Sequence, residues 1–396
     1  MPDPAADCRP LRVGYLIAYF YPFESGAERQ ALLQGEELAR LGHEVHVATH
    51  WVPGVEREAT VRGIHVHRWI GSSKRGPLFA PSFVASAARA LRRLRRKVDL
   101  IHTHQALWEA VAAGFARKIG WLGGVPTVIQ PASSGYYGEA EELRRTRGAR
   151  VLRSLATAND AFVAISADIE RQWLDLGVPA ERMTRIASGV DHRHYSPGPS
   201  RLESELLPRP RVVFTGRLHP QKNLDLLLDA WPAVAAQTAA NLVLVGQGPE
   251  RARLEEKVER LGVSGRVQFT GALPDVAEAL RAADVFVLPS VAEGMSNSLL
   301  EAMATGLPCV ASRIGGNEDL LGPGGSGLLI DEATPGRWSE KLVELLNDQD
   351  LRARLGASAR LRVEDEFALE KVVGRYVELY RRLLASRTKS ETIPAG

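Results

Sequence analysis

Short apolar runs that alternate with amphipathic helical patterns constrain the fold of this chain more than any other feature of its sequence. The apolar runs of the first half are LRVGYLIAY, HEVHVATH, GIHVHRW, VDLIHTH, VPTVIQ and AFVAIS. ERQALLQGEELARLG, between the first two runs, is typical of the helical segments. Because parallel strands need a crossover connection, usually a helix, this alternation predicts a parallel, doubly wound α/β sheet. A second alternating set starts at Arg211, which predicts a second domain of the same kind.

The segment PGPSRLESELLPRP separates the two sets. Pro, Gly and Ser dominate its ends, which is typical of a linker. A chain of 396 residues is long enough for two domains, each with its own core. We therefore predict an N-terminal domain over residues 1–197, a linker over 198–210 and a C-terminal domain over 211–367.

Composition and charge exclude several classes of protein. Apolar residues make up 45% of the chain and charged residues 24%, with a net charge of +3, as in an ordinary globular protein. No apolar run reaches the roughly 18 residues needed to span a bilayer, and the N-terminus does not resemble a signal peptide. Cys8 and Cys309 make neither a disulfide framework nor a cysteine–histidine metal motif. We expect a cytoplasmic protein without a nucleic-acid partner.

The run AEGMSNSLLEAMATGLPCVAS holds the most informative candidate site residues. Glu293 follows the buried-strand pattern DVFVLPS, and Glu301 lies eight residues later in the helical segment SLLEAMATG. Open parallel sheets bind ligands at the carboxyl ends of their strands, and a helix N-terminus there attracts phosphate. Unpaired amides between two hydroxyl-binding carboxylates suit a nucleoside-diphosphate sugar. The amides expected to contact sugar or phosphate are those of Met295, Ser296, Asn297 and Ser298.

This run resembles the donor-binding motif of the retaining glycosyltransferases of family 4, in which seven residues separate two glutamates. The likeness continues through VVFTGRLHPQKNLDLLLDAW, LVLVGQGPERARLEE, RVQFTG and IGGNEDLL, in the order and spacing of the family. The resemblance implies the GT-B fold, in which two Rossmann-like domains face each other across a cleft. It also implies that a last helix, expected over residues 368–387, crosses back to the first domain ahead of a flexible tail over 388–396.

The resemblance gives roles to several residues of the second domain. Arg217 and Lys222 follow Gly216 at the end of the strand VVFTG. There they would clamp the donor diphosphate and stabilise charge on the leaving group; the alternative is a pair of surface cations at a helix start. Glu301 would accept hydrogen bonds from the ribose hydroxyls, and Glu293 from hydroxyls of the transferred sugar.

In the first domain the resemblance points to Gly26 and His104. Gly26, in YPFESGAERQ, would bring its amide close to the phosphate, although the family often has two glycines here and a plain structural turn is the alternative. His104 ends VDLIHTH and would lie near the reactive carbon of the sugar. We expect His102 to point to the opposite face of the sheet and to be structural. Many family members carry a histidine after the next strand, where this chain has Gln130, Pro131 and Ala132.

Two further segments are candidates for contacts with the acceptor or with membrane. The loop over residues 132–148 would face the acceptor, and its Tyr136 and Tyr137 would stack on a sugar ring or touch lipid; a mobile surface loop is the alternative. The segment 83–98 is basic and amphipathic. We favour packing of its apolar face on its own sheet over peripheral contact with anionic lipid at the inner face of the cell membrane.

These features predict a hexosyltransferase-type enzyme that moves a sugar from a nucleoside-diphosphate sugar to an acceptor hydroxyl with retention of configuration. The acceptor would be a glycan, a lipid-linked saccharide or a small molecule, and the commonest family role is assembly of surface polysaccharide or lipid-linked glycan. No Asp-x-Asp motif follows a strand, so we expect no metal requirement and no other cofactor. The alternatives are a GT-B nucleotide-sugar epimerase or hydrolase and a non-catalytic protein that binds nucleotide sugars.

Overall fold

The computed structural model describes residues 9–23, 25–73, 76–322 and 325–391. Contacts within the chain divide it into two compact units. The first unit runs up to Ala187 and resumes at Leu369, and the second comprises Ser188–Ala368.

An eight-stranded sheet forms the centre of the first unit. Its strands are β1 (Arg12–Leu16), β2 (Glu44–His50), β3 (Glu58–Val61), β4 (Ile64–Ile70), β5 (Leu100–His104), β6 (Thr127–Gln130), β7 (Ala161–Ala164) and β8 (Met183–Arg185). Their order across the sheet is β3-β4-β2-β1-β5-β6-β7-β8. Neighbouring strands are parallel except for the edge pair β3 and β4, which a tight turn at Arg62 and Gly63 connects. The predicted parallel sheet is confirmed, with an antiparallel edge strand that the sequence pattern did not reveal.

Helices pack on both faces of this sheet. They are α1 (Gly26–Arg40), α2 (Phe79–Leu94), α3 (Trp108–Lys118), α4 (Glu139–Arg145), α5 (Ala149–Ala156), α6 (Ala167–Asp175) and, from the end of the chain, α14 (Leu369–Glu391). Helix α14 contributes Val372, Val373, Tyr376 and Tyr380 to the same buried apolar cluster as β1 and α1. It extends to Glu391, so part of the expected tail over 388–396 is helical, and residues 392–396 lie outside the described residues.

The basic segment expected over 83–98 is helix α2, which begins four residues earlier and ends at Leu94. Its apolar face, including Phe83, Ala87 and Leu91, is buried within the unit. The favoured interpretation, in which this face packs on the protein's own sheet, therefore agrees with the structure. Within the described ranges, we find no helix that is both long and apolar enough to cross a membrane.

The second unit is built on a six-stranded parallel sheet. Its strands are β9 (Arg211–Thr215), β10 (Asn241–Val245), β11 (Val267–Gly271), β12 (Val285–Leu288), β13 (Cys309–Ser312) and β14 (Leu328–Ile330). Their order is β11-β10-β9-β12-β13-β14. The helices are α7 (Leu224–Gln237), α8 (Arg251–Arg260), α9 (Val276–Arg281), α10 (Asn297–Ala304), α11 (Gly315–Leu321), α12 (Pro335–Asn347) and α13 (Gln349–Arg362), which one π-helical turn over Val363–Phe367 follows.

The expected linker over 198–210 is part of the second unit, and the boundary between the units lies at Ala187 and not after residue 197. Arg211, which is almost fully buried, donates from Nη1 to Glu203 at 2.8 Å and from its backbone amide to Asp284 at 2.7 Å. Arg209 donates from Nε to the same glutamate at 3.0 Å. These bonds hold the segment against the second sheet, and its proline-rich composition alone could not reveal them.

Both sheets reverse their strand order at a central strand. In the first unit β1 lies between β2 and β5, and in the second β9 lies between β10 and β12. On the two sides of such a strand, the connections to the neighbouring strands run in opposite directions across the sheet. This opens a crevice at the carboxyl ends of the strands, and α/β proteins bind ligands there. Each unit therefore has one such position, and in the second unit it falls at the end of β9.

Three loops at this position of the second unit are joined by close backbone contacts. The amide of Gly216 donates to Val245 O at 3.0 Å, and the amide of Gly246 donates to Gly271 O at 2.8 Å. Gly246 has a φ of +140°, and a Cβ on it would lie 1.9 Å from Gly216 O. Only glycine fits there, because a side chain would be strained and would also push the loop after β9 away.

We predict that Gly246→Ala destabilises the protein by about 3 kcal/mol, because it combines overpacking with an unfavourable φ. Calorimetric unfolding measures this change. Gly262→Ala is the control, because Gly262 also has a positive φ, +68°, but no atom within 4 Å of the added Cβ. Equal losses in the two variants would contradict the close-approach argument.

Candidate active site

The loop after β9 presents two expected donor-binding residues. Gly216 lies at the strand end, and a Cβ on it would lie 3.8 Å from Cε of Lys222. Arg217 is exposed, and its side chain has no hydrogen-bond or ion-pair partner among the described residues. Its guanidinium therefore presents a planar set of N–H donors. An oxyanion can accept hydrogen bonds from them without breaking an existing bond to another side chain.

Lys222 and Glu293 form an ion pair at the same edge of the sheet. Lys222 ends the short turn Pro220–Lys222, and its Nζ lies 2.5 Å from Oε1 of Glu293. The two side chains are only 15% and 9% exposed. A charge so far removed from water must be paired with an opposite charge, so each side chain fixes the position of the other in the folded protein.

Helix α10 follows Glu293 and carries the second glutamate. Ser296 caps the helix, because its Oγ accepts from the amide of Leu299 at 3.4 Å and lies 3.1 Å from Oγ of Ser298. Asn297 is the first residue of the helix, and Glu301 is buried in its second turn. The helix N-terminus therefore directs its amides to the sheet edge where Glu293 lies, the arrangement that favours an anion.

Met295 has a packing role that its place in the expected anion loop did not suggest. Its side chain is buried, and its Sδ accepts from the amide of Ser188 at 3.2 Å. A Cβ on Gly316, in helix α11, would lie 2.3 Å from Gly294 O and 3.0 Å from Cα of Met295. The backbone of this loop is thus held closely by its neighbours.

In the first unit, the expectation that His102 and His104 point to opposite faces is wrong. Residues two apart along a strand share a face, and the two rings are stacked with centroids 4.4 Å apart. Both rings are buried, and Tyr15 of β1 contacts the ring of His104 edge-on at 4.4 Å. Burial lowers the pKa of His102 to about 3. Burial, with the His102 ring beside it, also holds the pKa of His104 well below its usual range, so both imidazoles are neutral.

Helix α14 places hydroxyl groups beside His102 and Gln130. Nδ1 of His102 lies 2.6 Å from the hydroxyl of Tyr380, and the hydroxyl of Tyr376 donates to Oε1 of Gln130 at 2.8 Å. The structural role expected for His102 is thus supported by a specific contact. Gln130, the last residue of β6, is thus also a buried contact of this helix.

The other first-unit candidates, Gly26, Tyr136 and Tyr137, follow the carboxyl ends of β1 and β6. Gly26 begins α1 directly after the loop that follows β1. Tyr136 is 69% exposed, and the guanidinium of Arg145 lies over its ring at 4.1 Å from the centroid. The side chain of Tyr137 lies outside the described residues.

Sequence reasoning missed two buried carboxylates at this edge of the first unit. Glu109, in the first turn of α3, is almost fully buried. Glu139, at the start of α4, accepts from the amides of Ala132 at 2.8 Å and Ser133 at 2.9 Å. Burial, with the nearby carboxylate of Glu139, raises the pKa of Glu109 to about 7. A glutamate in the first turn of a helix that follows a strand is the sequence signal that could have revealed them.

The structure therefore brings Gly216, Lys222 and Glu293 together at one edge of the second unit, while Gly26 and His104 belong to the first. Across the described ranges, no group of three or more His, Cys, Asp or Glu side chains could hold a metal ion.

Comparison with known proteins places the chain in a family. The model of "Glycosyltransferase Family 4" matches residues 25–194, and that of "Glycosyl transferases group 1" matches residues 209–348. The chain is 32% identical to the GDP-mannose-dependent alpha-mannosyltransferase of Mycobacterium tuberculosis, over 81% of this chain and 84% of the relative. It is 26% identical to the N-acetyl-alpha-D-glucosaminyl L-malate synthase of Bacillus anthracis, over 92% of this chain and 96% of the relative.

A solved structure of the same fold superposes on this chain. Anabaena HepE, crystallised in complex with UDP, superposes with a TM-score of 0.76 and 22% identity, covering 93% of this chain and 99% of that one. The fold is GT-B. The chain belongs to glycosyltransferase family 4, and it is a hexosyltransferase.

We predict that Glu109→Gln becomes more stable than the wild type as the pH rises. The folded-state pKa of about 7 lies above the value of 4.5 for an unperturbed glutamate, so the unfolded state loses its proton first. The stability that protonated Glu109 provides is complete below the unfolded pKa and is lost as the pH rises towards 7. Near pH 8 the variant should therefore be more stable by up to about 3 kcal/mol, and near pH 4 the two should agree.

Urea unfolding between pH 4 and pH 8 measures this difference. Glu142→Gln, on the exposed side of α4, is the control and should follow the wild type throughout. A constant difference between Glu109→Gln and the wild type would contradict the assignment.

Proposed function

We propose that this glycosyltransferase binds a nucleoside-diphosphate sugar at the carboxyl-end edge of its second sheet and transfers the hexose with retention of configuration. The acceptor is a hydroxyl of a glycan, a lipid-linked saccharide or a small molecule, and the reaction takes place in the cytoplasm without a metal ion. The observation that carries the proposal is the Lys222–Glu293 pair, held 2.5 Å apart beside the N-terminus of α10.

The pair combines the two kinds of group that a nucleotide sugar requires. An ammonium group stabilises the diphosphate, and a carboxylate accepts hydrogen bonds from sugar hydroxyls. Arg217, exposed in the same loop region, supplies a second cation for the phosphates. Glu301, in the second turn of α10, accepts from the ribose hydroxyls. Two cations aimed at the leaving diphosphate supply the charge stabilisation for which other enzymes use a metal ion.

Front-face attack requires few reactive side chains. The leaving phosphate, held by Lys222 and Arg217, accepts the proton of the acceptor hydroxyl while Glu293 holds the sugar in place. His104, in the first unit, has a neutral imidazole, which can act as a hydrogen-bonding group and not as a cation. Positioning and charge stabilisation then account for most of the rate enhancement.

The relatives support the transfer of a sugar, but their names specify different donors and acceptors. The name of the M. tuberculosis protein specifies GDP-mannose, whereas that of the B. anthracis protein specifies N-acetylglucosamine and L-malate. HepE was crystallised with UDP. A donor panel therefore has to include several bases.

We predict that one nucleoside-diphosphate sugar among the UDP, GDP and ADP conjugates raises the melting temperature selectively. A ligand that binds only the folded state stabilises it by mass action. Lys222→Met and Glu301→Gln should each weaken the binding at least tenfold, because each loses a charge-assisted contact. Lys341→Met is the control, because Lys341 also forms an ion pair, with Glu344 on α12, but lies on none of the donor loops.

Three outcomes separate the proposal from its alternatives. The absence of any shift would contradict a nucleotide-sugar site. Binding without turnover, with every acceptor class tested, would favour a non-catalytic binding protein. Rapid consumption of the donor without any acceptor would favour an epimerase or a hydrolase.

The product assay gives a further prediction. The anomeric proton coupling of the product, measured by NMR, should match that of the donor, and EDTA should leave the turnover rate unchanged within twofold. Inversion of the anomeric signal would contradict the retaining mechanism. Loss of turnover in EDTA that a divalent metal restores would contradict metal independence.

A further inference from the structure

Gln221 makes three contacts in the second unit, of which two join its turn to another loop. Its side-chain Nε2 donates to Ala292 O at 2.8 Å. Its backbone oxygen accepts from the amide of Val291 at 2.9 Å, and its own amide donates to Nδ1 of His219 at 3.3 Å. The short turn after β9 is therefore fixed both internally and against the loop that follows β12.

The contacts of Gln221 lie directly beside the ion pair. Lys222 is its neighbour in the turn, and Glu293 is the neighbour of Ala292 in the facing loop, so two successive residues of one loop bind two successive residues of the other. The side-chain bond of Gln221 and the Lys222–Glu293 pair are thus adjacent contacts that together connect the two loops. A shift of either loop alters the position of the ammonium group relative to the carboxylate.

Of the contacts that Gln221 makes with the facing loop, only the side-chain bond to Ala292 O depends on the residue type. Any residue at position 221 can supply the backbone oxygen, but the bond to Ala292 needs a side-chain donor of the length of glutamine. Lys222 has a long, flexible stem, which binds a phosphate well only if its backbone is held in place.

We propose that Gln221 is a positioning residue for the donor: it fixes the turn that carries Lys222 against the loop that carries Glu293, and so presets the phosphate-binding ammonium group. This rests on the proposed function of the same site. Gln221 acts through Lys222 and need not touch the donor itself. Its contribution should therefore appear in the binding of a bare nucleoside diphosphate, which lacks the transferred hexose that Glu293 would contact.

The test compares Gln221→Met with the wild type by calorimetric titration of UDP, GDP and ADP. Methionine has nearly the shape of glutamine but cannot donate to Ala292 O. We expect about fivefold to tenfold weaker binding of the diphosphate that the wild type prefers, with the melting temperature unchanged within 2 °C. Gln221→Glu, which also lacks the donor and adds a negative charge near Glu293, should weaken binding further.

Gln268→Met is the control. Gln268 also joins two segments of the second unit, because its Nε2 donates to Glu205 O at 3.1 Å and its Oε1 accepts from the amide of Leu207 at 2.8 Å. It lies on β11, outside the donor loops, so its substitution should leave the affinity for diphosphate unchanged. An equal loss in this variant would overturn the proposal.

A double-mutant cycle distinguishes positioning from a separate effect. If Gln221 acts through Lys222, then Gln221→Met should cause no further loss of affinity in a Lys222→Met background. Additive losses, or wild-type affinity in Gln221→Met, would overturn the proposal while leaving the donor site intact. If instead the wild type binds none of the three diphosphates, or Lys222→Met binds as well as the wild type, the proposed function itself fails.

Discussion

Parallel pairing of strands is the constraint on which the rest of this structure depends. Because the strands of each sheet run in the same direction, the segments that follow them emerge at one edge. In the second unit this brings the loop after β9, with Gly216 and Lys222, to the loop after β12, with Glu293. The two loops are separated by about seventy residues in sequence, and only the sheet order makes them neighbours.

The sequence predicted the architecture, because it depends on local patterns. Apolar runs bounded by helical segments identified most strands, and the pattern SLLEAMATG identified the helix that carries Glu301. It did not predict the short edge strand β3, whose residues are half exposed and whose pairing depends on a turn. It also misplaced the boundary between the units, because Arg281 and Arg360 bind backbone oxygens of His194 and His192, and these side chains look like any other arginine in the sequence.

The error at His102 has a different physical origin. The period of a strand is two residues, so the ring shares a face with that of His104, and both rings are buried. The partner of His102, Tyr380, lies 278 residues away along the chain, and the partner of Gln130 lies 246 residues away. No local pattern reports such a contact. Gln221 was missed for a similar reason, because its role lies in bonds to a distant loop and not in its own chemistry.

The return of the chain to the first unit has a consequence for synthesis. Leu369 and the residues after it complete the apolar cluster around β1, yet they follow the whole of the second unit in sequence. On a ribosome the second unit can therefore close as soon as it has emerged, whereas the first exposes an uncovered apolar face until residues 369–391 have been made. The half of the protein that is translated first is thus the half that finishes folding last. Until residues 369–391 have been made, the first unit is most prone to aggregate and most dependent on a chaperone.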